Sequence, residues 1–199
     1  MRDGLWWIGG SPCAGKTTVA GRIAGRRGVP VYSCDDAFAR HADGGPVLRK
    51  VTAMGVGERL AQPVEVQVDD VFALYREEFP LILDDLRDAV DGTVAEGAAL
   101  LPELLAGIGV PAGRAVWIVP TVDFQVRHYR ARAWAHELLA GLDRPDLAFD
   151  RWMRRDALFA ERVARQARDL GYRVIVADGG PITPWPGEST LARGDGETS

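Results

Sequence analysis

Lysine is almost missing from this chain of 199 residues, since only Lys16 and Lys50 among its 24 basic residues are lysines. The other basic residues are arginines, and abundant Arg, Ala, Gly and Pro are typical of a GC-rich coding sequence. Arginine could meet any general need for charge or solubility. Each lysine that remains therefore needs a local explanation.

Cysteines, long apolar runs and an excess of positive charge are also lacking. Cys13 and Cys34 are too few for a metal cluster, and we expect both to be reduced thiols. No stretch approaches the roughly 20 apolar residues of a membrane helix, and the apolar run 5–10 is too short for a signal peptide. The net charge of −4 gives no global reason to expect nucleic-acid or membrane partners. We expect a cytoplasmic protein, and the sequence does not indicate its oligomeric state.

Strand and helix patterns alternate along the chain, which predicts an α/β fold with a parallel sheet covered by helices. The length suits one domain over residues 1–183, and the Gly- and Pro-rich segment 184–199 is expected to be a flexible tail. Segment 41–63 has weak periodicity and is predicted to leave the core. The predicted strands are 5–9, 30–33, 93–97, 114–119 and 173–177. The predicted helices are 16–27, 64–90 with a kink at Pro80, 123–139 and 150–170.

A glycine-rich loop between the first strand and the first helix is the most specific motif. Gly10, Gly15, Lys16 and Thr17 match the pattern G-x-x-x-x-G-K-[ST]. Glycines let backbone N–H groups turn inward around a phosphate, and the helix start adds unpaired amides. Lys16 is expected to reach the β- and γ-phosphates and Thr17 to bind Mg²⁺. The predicted nucleotide-binding residues are Gly10, Pro12, Cys13, Ala14, Gly15, Lys16, Thr17 and Thr18.

This loop, Asp35-Asp36, Glu96-Gly97 and the arginine-bearing segment 127–132 together resemble the P-loop kinases of the nucleoside monophosphate kinase type. Within that group the chain is most similar to small-molecule kinases, such as chloramphenicol phosphotransferase and the gluconate and shikimate kinases. The resemblance implies a three-layer fold with a five-stranded parallel sheet in the order 2-3-1-4-5. It also implies a helical lid at about 125–150, an acceptor side at 38–63, and the use of ATP and Mg²⁺.

Three acidic residues follow predicted strands, at the edge where parallel sheets place their ligand crevice. Asp35 is assigned as the base that accepts the acceptor's proton, and Asp36 as the cap of a helix beginning near Ala37; the reverse assignment stays open. Glu96 is expected to act near Mg²⁺ or the acceptor. The fourth strand ends at Pro120 without a carboxylate, so the second metal ligand is not identified.

Arginines dominate the candidate lid. Arg127 and Arg130 share a helix face and are predicted to clamp the transferring phosphoryl group; the alternative is a solvated face that pairs with acids. A second cluster is interpreted as surface residues: Arg151, Arg154 and Arg155. The residues that could meet a polar or anionic acceptor are Phe38, His41, Arg49, Lys50 and Arg59. A lone histidine in such a segment is more often solvated than a base.

These features predict a kinase that transfers the γ-phosphate of ATP to a hydroxyl of a small molecule. A nucleoside or nucleotide kinase is one alternative. A nucleotide-binding ATPase or switch that works through a partner is another. A GTPase is disfavoured, because the sequence contains no N-K-x-D motif.

Overall fold

The computed structural model describes residues 4–182, so the predicted tail 184–199 lies outside the described residues. Five parallel strands form one sheet in the order β2-β3-β1-β4-β5. The fold class and the strand order predicted from the resemblance are therefore confirmed. The strands are β1 (Trp6–Gly10), β2 (Val31–Ser33), β3 (Val94–Glu96), β4 (Ala115–Pro120) and β5 (Arg173–Ala177).

Nine α-helices connect and cover the strands within residues 4–182. None of these helices is long and apolar enough to cross a bilayer. The helices are α1 (Lys16–Arg27), α2 (Cys34–His41), α3 (Pro46–Ala53), α4 (Val56–Ala61), α5 (Val64–Asp85), α6 (Pro102–Gly107), α7 (Val122–Arg130), α8 (Ala133–Leu139) and α9 (Pro145–Asp169). A 3₁₀ turn at Ala112–Arg114 precedes β4.

Alternation along the strands divides the core into two layers, one on each face of the sheet. Ile8 of β1 and Ile118 of β4 pack against α1 on one face. Trp7 and Trp117, two residues of the same strands, pack against α5 and α9 on the other face. Both tryptophans are fully buried. Because both faces are covered, the central strands β1 and β4 contain no charged residue and are buried along their whole length, as in other parallel sheets.

The segment 41–63, which was predicted to leave the core, contains two helices that the sequence did not predict, α3 and α4. Both helices are short, and α4 buries only Leu60, so too few apolar positions recur to give a helical period. The helix after β2 also begins earlier than predicted, at Cys34. Ser33 caps it by accepting a hydrogen bond from the N–H of Asp36 at 3.2 Å. The assignment of Asp36 as the helix cap was therefore wrong.

Three other helix boundaries differ from the predicted ones. The predicted helix 123–139 is divided into α7 and α8, because the chain leaves helical geometry at Arg132. The predicted helix 150–170 begins earlier, at Pro145, whose fixed φ suits the first turn of a helix. The long helix α5 runs through Pro80 and ends at Asp85, five residues before its predicted end.

Candidate active site

The glycine-rich loop joins β1 to α1 at the carboxyl edge of the sheet. Gly10 has a φ of 126°, and a Cβ there would collide with the carbonyl oxygen of Ile118 on β4. Gly15 has a φ of 84° at the start of α1, in a region that glycine adopts without strain. The first and last glycines of the motif are therefore required by the backbone itself.

Lys16 is buried below this loop, with 7% of its surface exposed. Its Nζ donates a hydrogen bond to the carbonyl oxygen of Ser11 at 2.9 Å, which leaves two of the three ammonium protons for other acceptors. Burial lowers the pKa of Lys16, and the charges of Asp35 and Glu96 oppose that shift. A compact cation thus lies inside the loop between two carboxylates.

Thr17 and Glu96 form a pair of oxygen ligands beside Lys16. The Thr17 hydroxyl donates to Oε1 of Glu96 at 3.0 Å, because β3 lies next to β1 with Glu96 opposite Ile8. Glu96 is 2% exposed; burial raises its pKa, and Lys16 and the Thr17 hydrogen bond lower it.

This pair suits a hard cation such as Mg²⁺, which prefers oxygen ligands. Residues 4–182 contain no group of three His, Cys, Asp or Glu side chains that could hold a metal. Mg²⁺ characteristically uses one or two protein oxygens and takes the rest from phosphates and water. Glu96 is therefore the candidate for the second ligand that the sequence did not identify.

A cavity of about 580 Å³ opens above the loop. Its floor contains Pro12 to Thr18, which includes all of the predicted nucleotide-binding residues except Gly10, and it also reaches Asp35. The rings of Phe124 and His128 stack in its wall, with their centroids 5.3 Å apart. Its other wall residues include Arg22, Tyr129, Arg132, Trp134, Gly179 and Ile182.

A second cavity, of about 240 Å³, lies on the other side of Asp35. It is lined by Cys34, Asp35, Phe38, Tyr75, Glu78 and Ala99. Asp35 thus lies where the loop cavity and the smaller cavity meet, whereas Asp36 lines neither of these two cavities.

The arginines predicted to clamp a phosphoryl group take different positions. Arg127 and Arg130 are exposed and lie outside the loop cavity, and the guanidinium of Arg130 lies 5.6 Å from the ring centre of Phe149. Arg132, at the start of α8, does line the loop cavity and donates a hydrogen bond to Nε2 of His128 at 2.8 Å. The break between α7 and α8 is what turns Arg132 toward the loop.

Arg155 was interpreted as a surface residue, but its side chain is only 16% exposed. Its Nε and Nη2 donate to Oδ1 of buried Asp156 at 2.9 and 2.6 Å. The carboxylate of Asp156 also accepts from the Tyr129 hydroxyl at 3.1 Å. A buried aspartate inside the apolar stripe of α9 was the signal that could have revealed this pair.

Arg59 and Lys50, from the predicted acceptor side, have different surroundings. Arg59 is half-buried on α4, where burial and then the charge of Arg155 lower its pKa. Two guanidinium groups therefore face the same region. Lys50 is exposed and pairs with Asp70 at 3.4 Å, so it belongs to the surface.

His41 is not solvated. It is buried, with Nδ1 3.1 Å from Oε1 of Glu78 and Nε2 3.2 Å from Oδ2 of Asp85. Asp85 also accepts from the Tyr32 hydroxyl at 2.8 Å and from Arg40 at 2.7 Å. Sequence analysis missed Glu78, because 37 residues separate it from His41.

No protein-family model matches this chain, and no curated protein does either. Solved structures do resemble it. Shikimate kinase from Bacteroides thetaiotaomicron is 19% identical, with a TM-score of 0.51 over 95% of this chain and 94% of that one. Shikimate kinase from Acinetobacter baumannii, in complex with shikimate, is 15% identical, with a TM-score of 0.49 over 88% and 84%. At the identity of the Bacteroides structure, the likeness shows the fold alone.

Proposed function

We propose that this protein is an ATP-dependent phosphotransferase that acts on a hydroxyl group of a small molecule. The observation that carries the proposal is the position of Asp35, between the loop cavity and a second cavity of about 240 Å³. A phosphotransferase needs two adjoining sites with a proton acceptor at their junction.

The nucleotide is assigned to the loop cavity. Backbone N–H groups of the loop would surround its phosphates, and the free protons of Lys16 would bind the phosphate oxygens. Thr17 and Glu96 would hold Mg²⁺, which would supply positive charge to neutralise the phosphates. Phe124 and His128 offer a flat surface for the base.

The acceptor is assigned to the second cavity, with its hydroxyl at Asp35. Asp35 accepts the hydroxyl proton as the acceptor oxygen bonds to the γ-phosphorus. The bond from that phosphorus to the β–γ bridging oxygen breaks, and ADP leaves with both electrons of the broken bond. The carboxylate favours this step by lying within reach of the attacking oxygen.

The segment at about 125–150 is proposed as the lid. Arg132 would supply the planar guanidinium fork that the sequence attributed to Arg127 and Arg130, because it is the member of this cluster that lines the loop cavity. The other two arginines would reach the phosphates only through a rearrangement of α7.

The test is ADP formation from ATP and Mg²⁺ in the presence of a panel of polyols, amino alcohols, hydroxy acids and nucleosides. We expect Lys16→Ala to lose nucleotide binding and turnover. Asp35→Asn should bind ATP normally and lose transfer by about a hundredfold or more, the scale of a general base.

Asp36→Asn is the matched control, since Asp36 lies on the same turn but outside both cavities, and it should keep full turnover. Unchanged turnover in Lys16→Ala would falsify the assignment of the loop. ATP binding without transfer to any compound in the panel would instead favour the partner-dependent ATPase, and transfer confined to nucleosides would favour a nucleoside kinase.

A further inference from the structure

The smaller cavity holds a carboxylate for which the proposed transfer has no use. Glu78, on α5, is 1% exposed and lines this cavity together with Asp35. Its Oε1 lies 3.1 Å from Nδ1 of His41. Its Oε2 has no hydrogen-bond partner within residues 4–182 and is therefore available to a ligand in the cavity.

A chain of hydrogen bonds through His41 holds the carboxylate of Glu78 in position. His41 contacts Glu78 through one ring nitrogen and Asp85 through the other, at 3.2 Å. Asp85 is held by the hydroxyl of Tyr32 and by Arg40. Because these contacts bind only one oxygen of Glu78, they orient the carboxylate without satisfying it.

The remaining walls of the cavity favour a positive charge. Phe38 and Tyr75 add aromatic rings, whose faces attract cations. Burial keeps the pKa of Cys34 well above its usual range, so the thiol is neutral. Among the described residues that line this cavity, none is basic.

The basic groups near these walls each have a polar partner outside the cavity lining. His41 contacts Asp85 as well as Glu78, and Lys16 donates to the carbonyl oxygen of Ser11. Arg155 interacts with Tyr75 from the side of α9, where its guanidinium is bonded to Asp156. Burial and then the charge of Asp35 raise the pKa of Glu78, and the contact with His41 lowers it, so a bound cation would favour the ionised carboxylate.

We infer that the acceptor is a hydroxylated amine, which places its hydroxyl at Asp35 and its protonated amino group on the free oxygen of Glu78. Glu78 is then a specificity-determining residue, and Phe38 and Tyr75 enclose the ammonium group. This inference rests on the proposed function, because it deepens the assignment of the acceptor site.

The experiment compares compounds of one skeleton and different charge. ADP release from ATP and Mg²⁺ is measured with D-glucosamine, N-acetyl-D-glucosamine, D-glucose and D-gluconate. Serinol and its N-acetyl derivative form a smaller pair. We expect the free amine of a pair to be used with a kcat/KM at least about tenfold above its N-acetyl form, because the charged hydrogen bond to Glu78 is lost on acetylation.

The variant Glu78→Gln tests the residue itself. It should raise the KM for the amine by about tenfold to a hundredfold and remove the preference over the N-acetyl form, while the KM for ATP is unchanged. Glu65→Gln, an exposed position on the same helix, should change neither value. The comparison of compounds uses the unmodified protein, so it decides the inference even if Glu78→Gln does not fold.

Three outcomes overturn the inference in different ways. Transfer to glucose, gluconate or the N-acetyl compounds, with no preference for amines, refutes the amine site and leaves the proposed function standing. No transfer to any of these compounds, while other hydroxy compounds of the wider panel are phosphorylated, refutes the inference alone. No transfer to any compound of either set, with nucleotide still bound, refutes the inference together with the proposed function.

Discussion

At the scale of single residues, burial gives the charged groups of the candidate active site their properties. Lys16 and Glu96 are both removed from water. Burial lowers the pKa of Lys16 and raises the pKa of Glu96, and both shifts favour the neutral form. Each also lowers the cost of burying the other, because opposite charges favour the ionised forms. A cation placed between Glu96 and Thr17 would stabilise the same carboxylate further.

Glu96→Gln tests the metal ligand. The amide can still accept the hydrogen bond from Thr17, but it has no charge and is a poor Mg²⁺ ligand. We expect the Mg²⁺ dependence of ADP binding, measured by calorimetry, to weaken by about tenfold or more, the factor that 1.4 kcal/mol represents. Glu58→Gln, at an exposed site on α4, is the control. If the unmodified protein, Glu96→Gln and Glu58→Gln all showed the same Mg²⁺ dependence, Glu96 would not be a metal ligand.

At the scale of elements, two long helices carry polar side chains near the smaller cavity, and of the two α5 contributes to its lining. Helix α5 carries Tyr75 and Glu78, and helix α9 carries Arg155 and Asp156. They meet through Phe72 and Phe159, whose ring centroids lie 5.2 Å apart. The aromatic contact between Phe72 and Phe159 therefore helps to hold α5 against α9.

Phe72→Ala tests this contact. Phe72 is fully buried, and the guanidinium of Arg162 lies 4.1 Å from its ring centre. Truncation leaves a cavity, so we expect the free energy of unfolding in urea to fall by about 3–5 kcal/mol. Val66→Ala, at an exposed position of the same helix, should cost at most about 0.5 kcal/mol. Equal losses in the two variants would contradict the role given to this contact.

At the scale of the whole molecule, Asp156 connects three parts that are distant in sequence. Its carboxylate binds Arg155 on α9 and the Tyr129 hydroxyl on α7. Its backbone oxygen accepts a hydrogen bond from Ser11 of the loop at 3.4 Å. The loop, the proposed lid and the long helix α9 are thus joined through one buried residue.

We expect Asp156→Ala to lower the free energy of unfolding by more than the loss of its packing contacts alone would. It leaves the guanidinium of Arg155 buried and unpaired, so we expect a loss of about 3–5 kcal/mol in the free energy of unfolding. The double variant Arg155→Met with Asp156→Leu replaces the ion pair by apolar side chains and should lose less. Urea denaturation measures both. The idea fails if the single variant is as stable as the double one.

The sequence could predict those features whose chemistry is local. The phosphate loop is a run of eight residues whose glycines, lysine and threonine act on their own neighbours, so its position follows from the motif. The sheet order came from the resemblance to known kinases. The short helices α3 and α4 escaped prediction, because one or two turns bury too few residues to show a period.

The pairs of the candidate site could not be predicted, because they join residues far apart in the chain. In the sequence, Arg155 looks like its neighbours Arg151 and Arg154. Only the contacts of Asp156 with Arg155 and Tyr129 show that Arg155 faces the interior. The pairing of His41 with Glu78 depends on how α2 packs against α5. Arg127 and Arg130 had the right spacing for a clamp, but α7 presents both to solvent, and the turn after it directs Arg132 to the cavity.

The two lysines show what the sequence by itself determined. Lys16 follows from its motif, because a compact ammonium inside a glycine loop has a local reason to be there. Lys50 had no such reason, and the structure gives it only a surface pair with Asp70. Tertiary packing alone decided that Asp35 lies between two cavities and that Glu78 keeps one oxygen free, because burial and the meeting of distant helices are properties of the folded chain.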